Sequence, residues 1–226
     1  MLKASADKTY INLGNPDILK LITRHHSIIL DVGCGAGGLA GILLSNGHIV
    51  DGITISSIEY KTAQKFIRNI FIHDLETGLP EDILELKYDY VVCSHVLEHI
   101  VYPDKLLKDI YKILKPQGCL LIALPNIMLY KSRLKLISGK FEYEIAGIWD
   151  NTHVKWYTFE SAKRLLLDHN YFIEMATVTG EIPFNGLFSK IFPPFLRKSI
   201  FNFIIKISKG FFGYQLLFKV RKNGFI

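Results

Sequence analysis

Two groups of residues in this chain have the types and spacing to do chemistry. The first is Asp31-Val32-Gly33-Cys34-Gly35-Ala36-Gly37-Gly38, which continues the apolar run Ile28-Ile29-Leu30. Glycines permit a sharp turn in which a ligand lies against the main chain, and the N–H groups opening the next helix favour an anionic group. Gly33, Gly35 and Gly38 also satisfy G-x-G-x-x-G, the phosphate-binding turn of dinucleotide enzymes. Asp31 weighs against a pyrophosphate and suits an ammonium group, from which a carboxylate accepts hydrogen bonds. The second group is Ser94-His95-Val96-Leu97-Glu98-His99, with Asp150-Asn151-Thr152-His153 far along the chain. If a helix begins after Ser94, then His95, Glu98 and His99 share one face, and histidines so placed can remove a proton or hold a substrate.

The elements that must position these residues follow from apolar periodicity and caps. Asn15 and Pro16 open a helix with an apolar stripe at Ile18, Leu19, Leu21 and Ile22. Ile28–Val32 is a strand, followed by a helix over 36–46 that closes at Asn46-Gly47. His48–Ile53 is the second strand, and Ser56 with Glu59 forms a capping box for a helix to about Phe66. Asn69–His73 and Tyr88–Ser94 are the third and fourth strands. A helix over Pro103–Leu114 stops at Lys115-Pro116-Gln117-Gly118, before a fifth strand at Cys119–Leu124. Such alternation predicts an α/β, doubly wound parallel sheet with its ligand at the carboxyl ends of the strands. The second half departs from it: an aromatic and charged insertion at 127–157, a helix at about 158–169, a strand at 171–178, a second insertion at 181–210 and a last strand at Tyr214–Val220.

The D-x-G-x-G-x-G shape of Asp31 to Gly37 resembles the first motif of the class I S-adenosylmethionine-dependent methyltransferases. Val91 to Asn126, with Ser94-His95-Val96-Leu97-Glu98-His99, Leu114-Lys115-Pro116-Gln117-Gly118 and Leu124-Pro125-Asn126, is similar to the same family. The resemblance implies S-adenosylmethionine as cofactor and a Rossmann-like methyltransferase fold. It implies a mostly parallel seven-stranded sheet with two helical insertions on the substrate side, in one domain over 1–226 whose cofactor-binding core is 27–125. By the same resemblance Asp31 holds the amino group, Gly33, Cys34, Gly35 and Gly37 the methionine portion, and Asp74 the adenine, with Leu75 and Ser94 completing the set. At the position where the family carries an acid for the ribose hydroxyls, this chain has Thr54, with Asp51 three residues earlier and Glu59 five later. A threonine hydroxyl makes one contact but cannot accept both ribose hydroxyls.

Methyl transfer from a sulfonium asks the protein to hold the acceptor in line and take its proton. That brings His99 and His153 forward as catalytic residues, with His95 a further candidate and Asp150 able to orient His153. Ubiquinone-biosynthesis O-methyltransferases and small-RNA 2′-O-methyltransferases carry E-x-x-E-H here. This chain is similar but has His95 in place of the first acid; imidazoles and one carboxylate suit a transition metal more than Mg²⁺, an alternative beside the reading adopted, which assigns no metal ligand. The insertion at 127–157 resembles methyltransferases of cell-envelope polysaccharide assembly, which puts a sugar hydroxyl of a glycan precursor first among acceptors. A quinone-like or aromatic small molecule and RNA are the alternatives, and a non-catalytic scaffold is the reading from another class.

Composition bounds the rest. Of 27 basic residues, eight lie between Ile182 and Ile226, where there is no acid, so the formal charge of +6 resides in the tail. The apolar residues of Phe195–Lys209 occupy a broad stripe with basic residues alongside, in the manner of an interfacial helix on anionic lipid, or of a lid helix. Cys34, Cys93 and Cys119 are dispersed and read as reduced packing residues. Met1–Asp7 lacks an apolar signal region, and no run reaches the ~18 apolar residues of a span. The expectation is a cytoplasmic protein with peripheral contact at the inner membrane face through 195–209, and nucleic acid disfavoured.

Overall fold

The computed structural model describes residues 14–180 and 193–224, without the side chains of Arg197, Lys198, Lys206 and Ile207. The N-terminal residues and the first part of the second insertion thus lie outside the described residues.

Seven strands form one sheet: β1 (Ile28–Val32), β2 (Ile49–Thr54), β3 (Ile70–Ile72), β4 (Tyr88–Ser94), β5 (Leu114–Pro125), β6 (Tyr171–Thr179) and β7 (Gln215–Lys222), in the order β3-β2-β1-β4-β5-β7-β6. The strands are apolar on both faces because both are covered. Leu30, Val32, Val91, Cys93, Leu120 and Ile122 point to one core. The intervening Ile29, Tyr90, Val92, Leu121 and Ala123 point to the other. On the first face lie α5 (Asp104–Ile113), through Leu106, Leu107, Ile110 and Ile113, and α7 (Phe159–Asp168), through Ala162 and Leu166. On the second lie α1 (Pro16–Leu19), α2 (Gly38–Ser45) and α3 (Ser57–Ala63), through Ile18, Leu39, Leu43 and Ala63. A short helix, α4 (Glu81–Leu84), precedes β4. All three cysteines are buried and free, as expected of packing residues.

The structure corrects the parallel reading at β7, which runs antiparallel to both β5 and β6. Local periodicity sets which residues face a core but carries no strand direction, so the reversal was not legible. Its cause is that the second insertion leaves and rejoins the sheet at one end. Tyr214 N–H donates to the Thr179 carbonyl at 2.8 Å, closing a hairpin whose loop carries α8 (Pro194–Ile207) and α9 (Lys209–Phe212). Wholly buried Asn126 fastens the two insertions together: its amide donates to the carbonyls of Gly210 and Gly213 at 2.8 and 2.7 Å and accepts from Met128 N–H. The first insertion holds α6 (Tyr130–Ile137). A second correction concerns 115–118, which bulge out within β5, since Leu114 and Cys119 stand opposite Tyr88 and Tyr90. A third is that no α-helix begins after Ser94; a single 3₁₀ turn, Leu97–His99, follows instead.

Candidate functional site

The chain crosses from β3 back over the sheet to β4, which lies beside β1, and ligands of doubly wound sheets sit at the carboxyl ends around such a switch point. A cavity of about 750 Å³ opens there. Gly33 and Gly35 after β1, Thr54 at the end of β2, Glu59 of α3, and His73 and Leu75 after β3 line one part of it. Ser94, His95, Glu98 and His99 after β4, with Gly147, Asp150 and His153 of the first insertion, line the other. The two groups of residues with chemical capacity therefore meet in one space.

At the first end the turn is made for close approach. Gly33 has φ of 74°, and a Cβ there would come within 2.7 Å of Val96 Cγ2. Gly37, at φ of 82°, caps α2, which begins two residues later than expected. Asp31 is 2 % exposed and its Oδ2 has no hydrogen-bond partner. Burial pushes its carboxyl up to about 7. A buried carboxylate oxygen left unpaired beside a glycine cradle fits a ligand that carries an ammonium group.

Of the expected set, Asp31, Cys34, Gly37 and Asp74 are not among the residues that line the cavity. The Cys34 side chain packs wholly buried in the second core and its N–H donates to the Ile53 carbonyl at 2.8 Å. Burial, then the charges of Asp31 and Glu59, hold its thiol protonated. Asp74 is not among the lining residues, although His73 and Leu75 on either side of it are. Its Oδ1 accepts from Glu76 N–H and caps the 3₁₀ turn Leu75–Thr77.

The departure at Thr54 is met by Glu59. Thr54 Oγ1 donates to Glu59 Oε2 at 2.7 Å, so the acid that β2 lacks reaches its end from α3. Ser56 Oγ accepts from Glu59 N–H at 3.4 Å, but the Glu59 carboxylate does not return to Ser56, so only half of the expected capping box forms. Asp51, the other flanking acid, is fully buried in a structural network. It accepts from Arg68 Nε and Nη2 at 3.0 and 2.7 Å, from the Asn69 main chain and side chain, and from Tyr88 OH at 2.9 Å.

At the second end Glu98 is the hub. Its main-chain carbonyl accepts from Val154 and Lys155 N–H at 2.9 and 3.0 Å, which delivers His153 across 55 residues of sequence. His153 Nε2 comes within 4.0 Å of Glu98 Oε1, and the His99 and His153 rings meet edge to face at 4.8 Å. His153 Nδ1 faces the Ile148 carbonyl at 3.1 Å, and His99 Nδ1 faces the Thr152 carbonyl at 3.1 Å. A carbonyl only accepts, so both Nδ1 atoms carry the hydrogen and both rings, when neutral, present an Nε2 lone pair. Burial lowers the His153 pKa below its ordinary value, more than the Glu98 charge raises it. Glu98 is fully buried with Oε2 unpartnered. Burial pushes its carboxyl up, but the His95 hydrogen bond at 3.2 Å and the His95 and His99 charges leave it below the usual range. Among the described residues Glu98, His99 and His153 bring one donor atom each within 4.8 Å of one another. We read them as a proton-transfer set. The expected helical face of His95, Glu98 and His99 is replaced by the 3₁₀ turn, which still gathers the three because His95 adopts φ of 59°.

Comparison with known proteins adds the following. A family model described as "Methyltransferase domain" matches residues 13–174. The ubiquinone biosynthesis O-methyltransferase of Chromobacterium violaceum is 34 % identical over 119 residues, 46 % of this chain and 48 % of that protein. That of Rickettsia canadensis is 32 % identical over 143 residues, 60 % of each. The chain thus spans about half to three fifths of the length of these curated relatives. Among solved structures, a SAM-dependent methyltransferase from Archaeoglobus fulgidus has a TM-score of 0.65 at 20 % identity, covering 92 % of both chains. Magnesium protoporphyrin IX methyltransferase from Synechocystis PCC 6803, with bound SAH, has 0.55 at 17 %, covering 92 % of this chain and 80 % of that one. At these identities the likeness is one of fold.

Proposed function

This chain belongs to the methyltransferase domain family, the S-adenosylmethionine-dependent methyltransferases, and from that premise we propose that it O-methylates a hydroxyl of a quinone-like or other aromatic small molecule. The observation that carries the reading is that one cavity is lined both by the Gly33 and Gly35 turn and by His153, whose Nε2 lies 4.0 Å from Glu98 Oε1. The aromatic acceptor is supported by the relatives named for ubiquinone biosynthesis. The sugar acceptor expected from the first insertion draws no support from them, and the quinone-like alternative takes its place.

In this proposal Asp31 accepts from the cofactor's amino group, the turn at Gly33 and Gly35 lies against its methionine portion, and Glu59 with Thr54 accepts the ribose hydroxyls. When bound, S-adenosylmethionine supplies an electrophilic methyl on a sulfonium. The methyl would pass to the acceptor oxygen as the carbon–sulfur bond broke, its electron pair remaining on sulfur. His153 Nε2 takes the hydroxyl proton, and the Glu98 carboxylate stabilises the imidazolium so formed. His99 stands beside it to hold the acceptor. The reading uses no metal, so methyl transfer unchanged by a chelator is expected.

In the same proposal the chain touches the membrane surface peripherally through residues 195–209. α8 exposes Phe195 and Phe203, and among the described residues no helix is long and apolar enough to cross a membrane. The test of the function is product analysis with methyl-labelled cofactor: a methyl ether on an aromatic hydroxyl supports it, and label on a sugar hydroxyl alone rejects it.

A further inference from the structure

One histidine of the cavity has no part in this reading. His95 follows β4 with both ring nitrogens engaged: Nδ1 lies 3.2 Å from Glu98 Oε1 and Nε2 lies 2.9 Å from Gln215 Oε1. The partners dictate where the protons are. Asn15 Oδ1 accepts from Asp17 and Ile18 N–H at the start of α1, so the amide nitrogen is the end that Asn15 turns to Gln215, 2.9 Å away. A donor there requires the Gln215 oxygen, and the Gln215 nitrogen in turn donates to Thr179 Oγ1 at 3.2 Å. An amide oxygen has no proton to give, so His95 Nε2 must donate to it. On the other side an ionised Glu98 only accepts, so Nδ1 must donate as well. A ring that donates from both nitrogens is an imidazolium.

We infer that His95 is a fixed cation and a positioning residue: clamped by Gln215 and Asn15, it keeps the wholly buried Glu98 an oriented carboxylate facing His153. The purpose of the device rests on the proton-transfer reading of His153, whereas the proton count on His95 does not. Desolvation in the cavity works against the charge on His95, whose side chain is 42 % exposed, but the hydrogen bonds to Glu98 and Gln215 prevail and leave its pKa above the ordinary value. The other titratable groups around the pair are His99 on the same turn, His153 and Asp150 of the first insertion, and Cys93 and Tyr157. Burial keeps the Cys93 thiol and the Tyr157 phenol protonated. His95 is thereby removed from the list of candidate bases, and removing its charge would leave Glu98 buried without its nearest cation.

The test is nitrogen-15 NMR of the full chain, labelled in its histidine rings and saturated with S-adenosylhomocysteine, with the His95 signals identified by their loss in His95→Gln. Both His95 nitrogens are expected to be protonated at about pH 7.5. Gln215→Met, which removes one acceptor, is expected to lower the His95 midpoint by about one unit. The carbon-13 shift of the Glu98 carboxyl should report an ionised group in the native chain at about pH 6 and a protonated one in His95→Gln, a change that a residue important only for folding would not produce. If His95→Gln fails to fold, the His95 signals are identified by their displacement in Gln215→Met, and the native spectrum then decides the proton count. An unprotonated His95 nitrogen at that pH, or a Glu98 equally ionised with and without His95, overturns the inference. Failure to methylate any aromatic acceptor with both signatures intact overturns the function reading instead.

Discussion

Thr54 Oγ1 and Glu59 Oε2 are joined across 2.7 Å, and this hydrogen bond carries a carboxylate from α3 to the end of β2. The position that looked like a weakened ribose contact in the sequence therefore has an acid beside it. Glu59→Gln is expected to weaken cofactor binding by about 1–2 kcal/mol, as charged hydrogen bonds are lost, while kcat at saturating cofactor stays close to native. Titration calorimetry with S-adenosylhomocysteine measures the first and steady-state kinetics the second. Native affinity in Glu59→Gln would remove the residue from the cofactor site.

Asp31→Asn separates stability from binding. An uncompensated buried charge destabilises the fold, so the cofactor-free variant is expected to melt higher than the native chain at pH 8. The same variant should lose about 2–3 kcal/mol of cofactor affinity. A variant both less stable and equally tight would show that Asp31 is a packing residue.

The pH dependence follows with a definite sign. Burial raises the Asp31 carboxyl from its ordinary 3.8 to about 7, so between these values the folded chain binds the proton more readily than the unfolded one. Stability of the cofactor-free chain attributable to Asp31 is therefore full below about pH 4 and falls as pH rises towards 7. A bound ammonium reverses the preference and expels the proton. Affinity for S-adenosylhomocysteine is expected to rise with pH by up to about tenfold per unit below pH 7, then to level off towards the range where the ligand's own α-amino group loses its charge. Calorimetry in buffers of different ionisation enthalpy counts the proton; no release at pH 6 would contradict the assignment.

Much of this was open to reading in the sequence, for reasons that particular residues make plain. Ile28 to Asp31, Tyr88 to Ser94 and Cys119 to Leu124 are short apolar runs bounded by turn residues, and burial on both faces of a parallel sheet writes such runs directly. The turn at Gly33 to Gly37 was legible because its positive φ values demand glycine. What stayed hidden depends on contacts between distant segments. Glu59 reads as a helix-cap residue from Ser56, and only the packing of α3 on β2 turns its carboxylate to Thr54. Asp51 stands three residues before Thr54 with no role that spacing assigns, and Arg68, Asn69 and Tyr88 claim it for the fold. His153 reached Glu98 through main-chain hydrogen bonds from its neighbours, which leave no mark in side-chain spacing.

Of the two candidate bases, His153 brings Nε2 to 4.0 Å from Glu98 Oε1, while His99 holds the Thr152 carbonyl at its Nδ1. His153→Gln is expected to lower kcat by about 10²–10⁴ with little change in cofactor affinity. His99→Gln should raise KM for the acceptor more than it lowers kcat. The opposite division between the two variants would exchange their roles.

The most direct measurement is single-turnover transfer from methyl-labelled S-adenosylmethionine to a catechol- or hydroquinone-type acceptor, comparing the native chain with His153→Gln in the presence of a chelator. The account predicts a labelled aromatic methyl ether formed by the native chain and slowed at least about a hundredfold in the variant, with the chelator without effect. Label appearing only on a sugar hydroxyl, or equal rates in the two proteins, would contradict it.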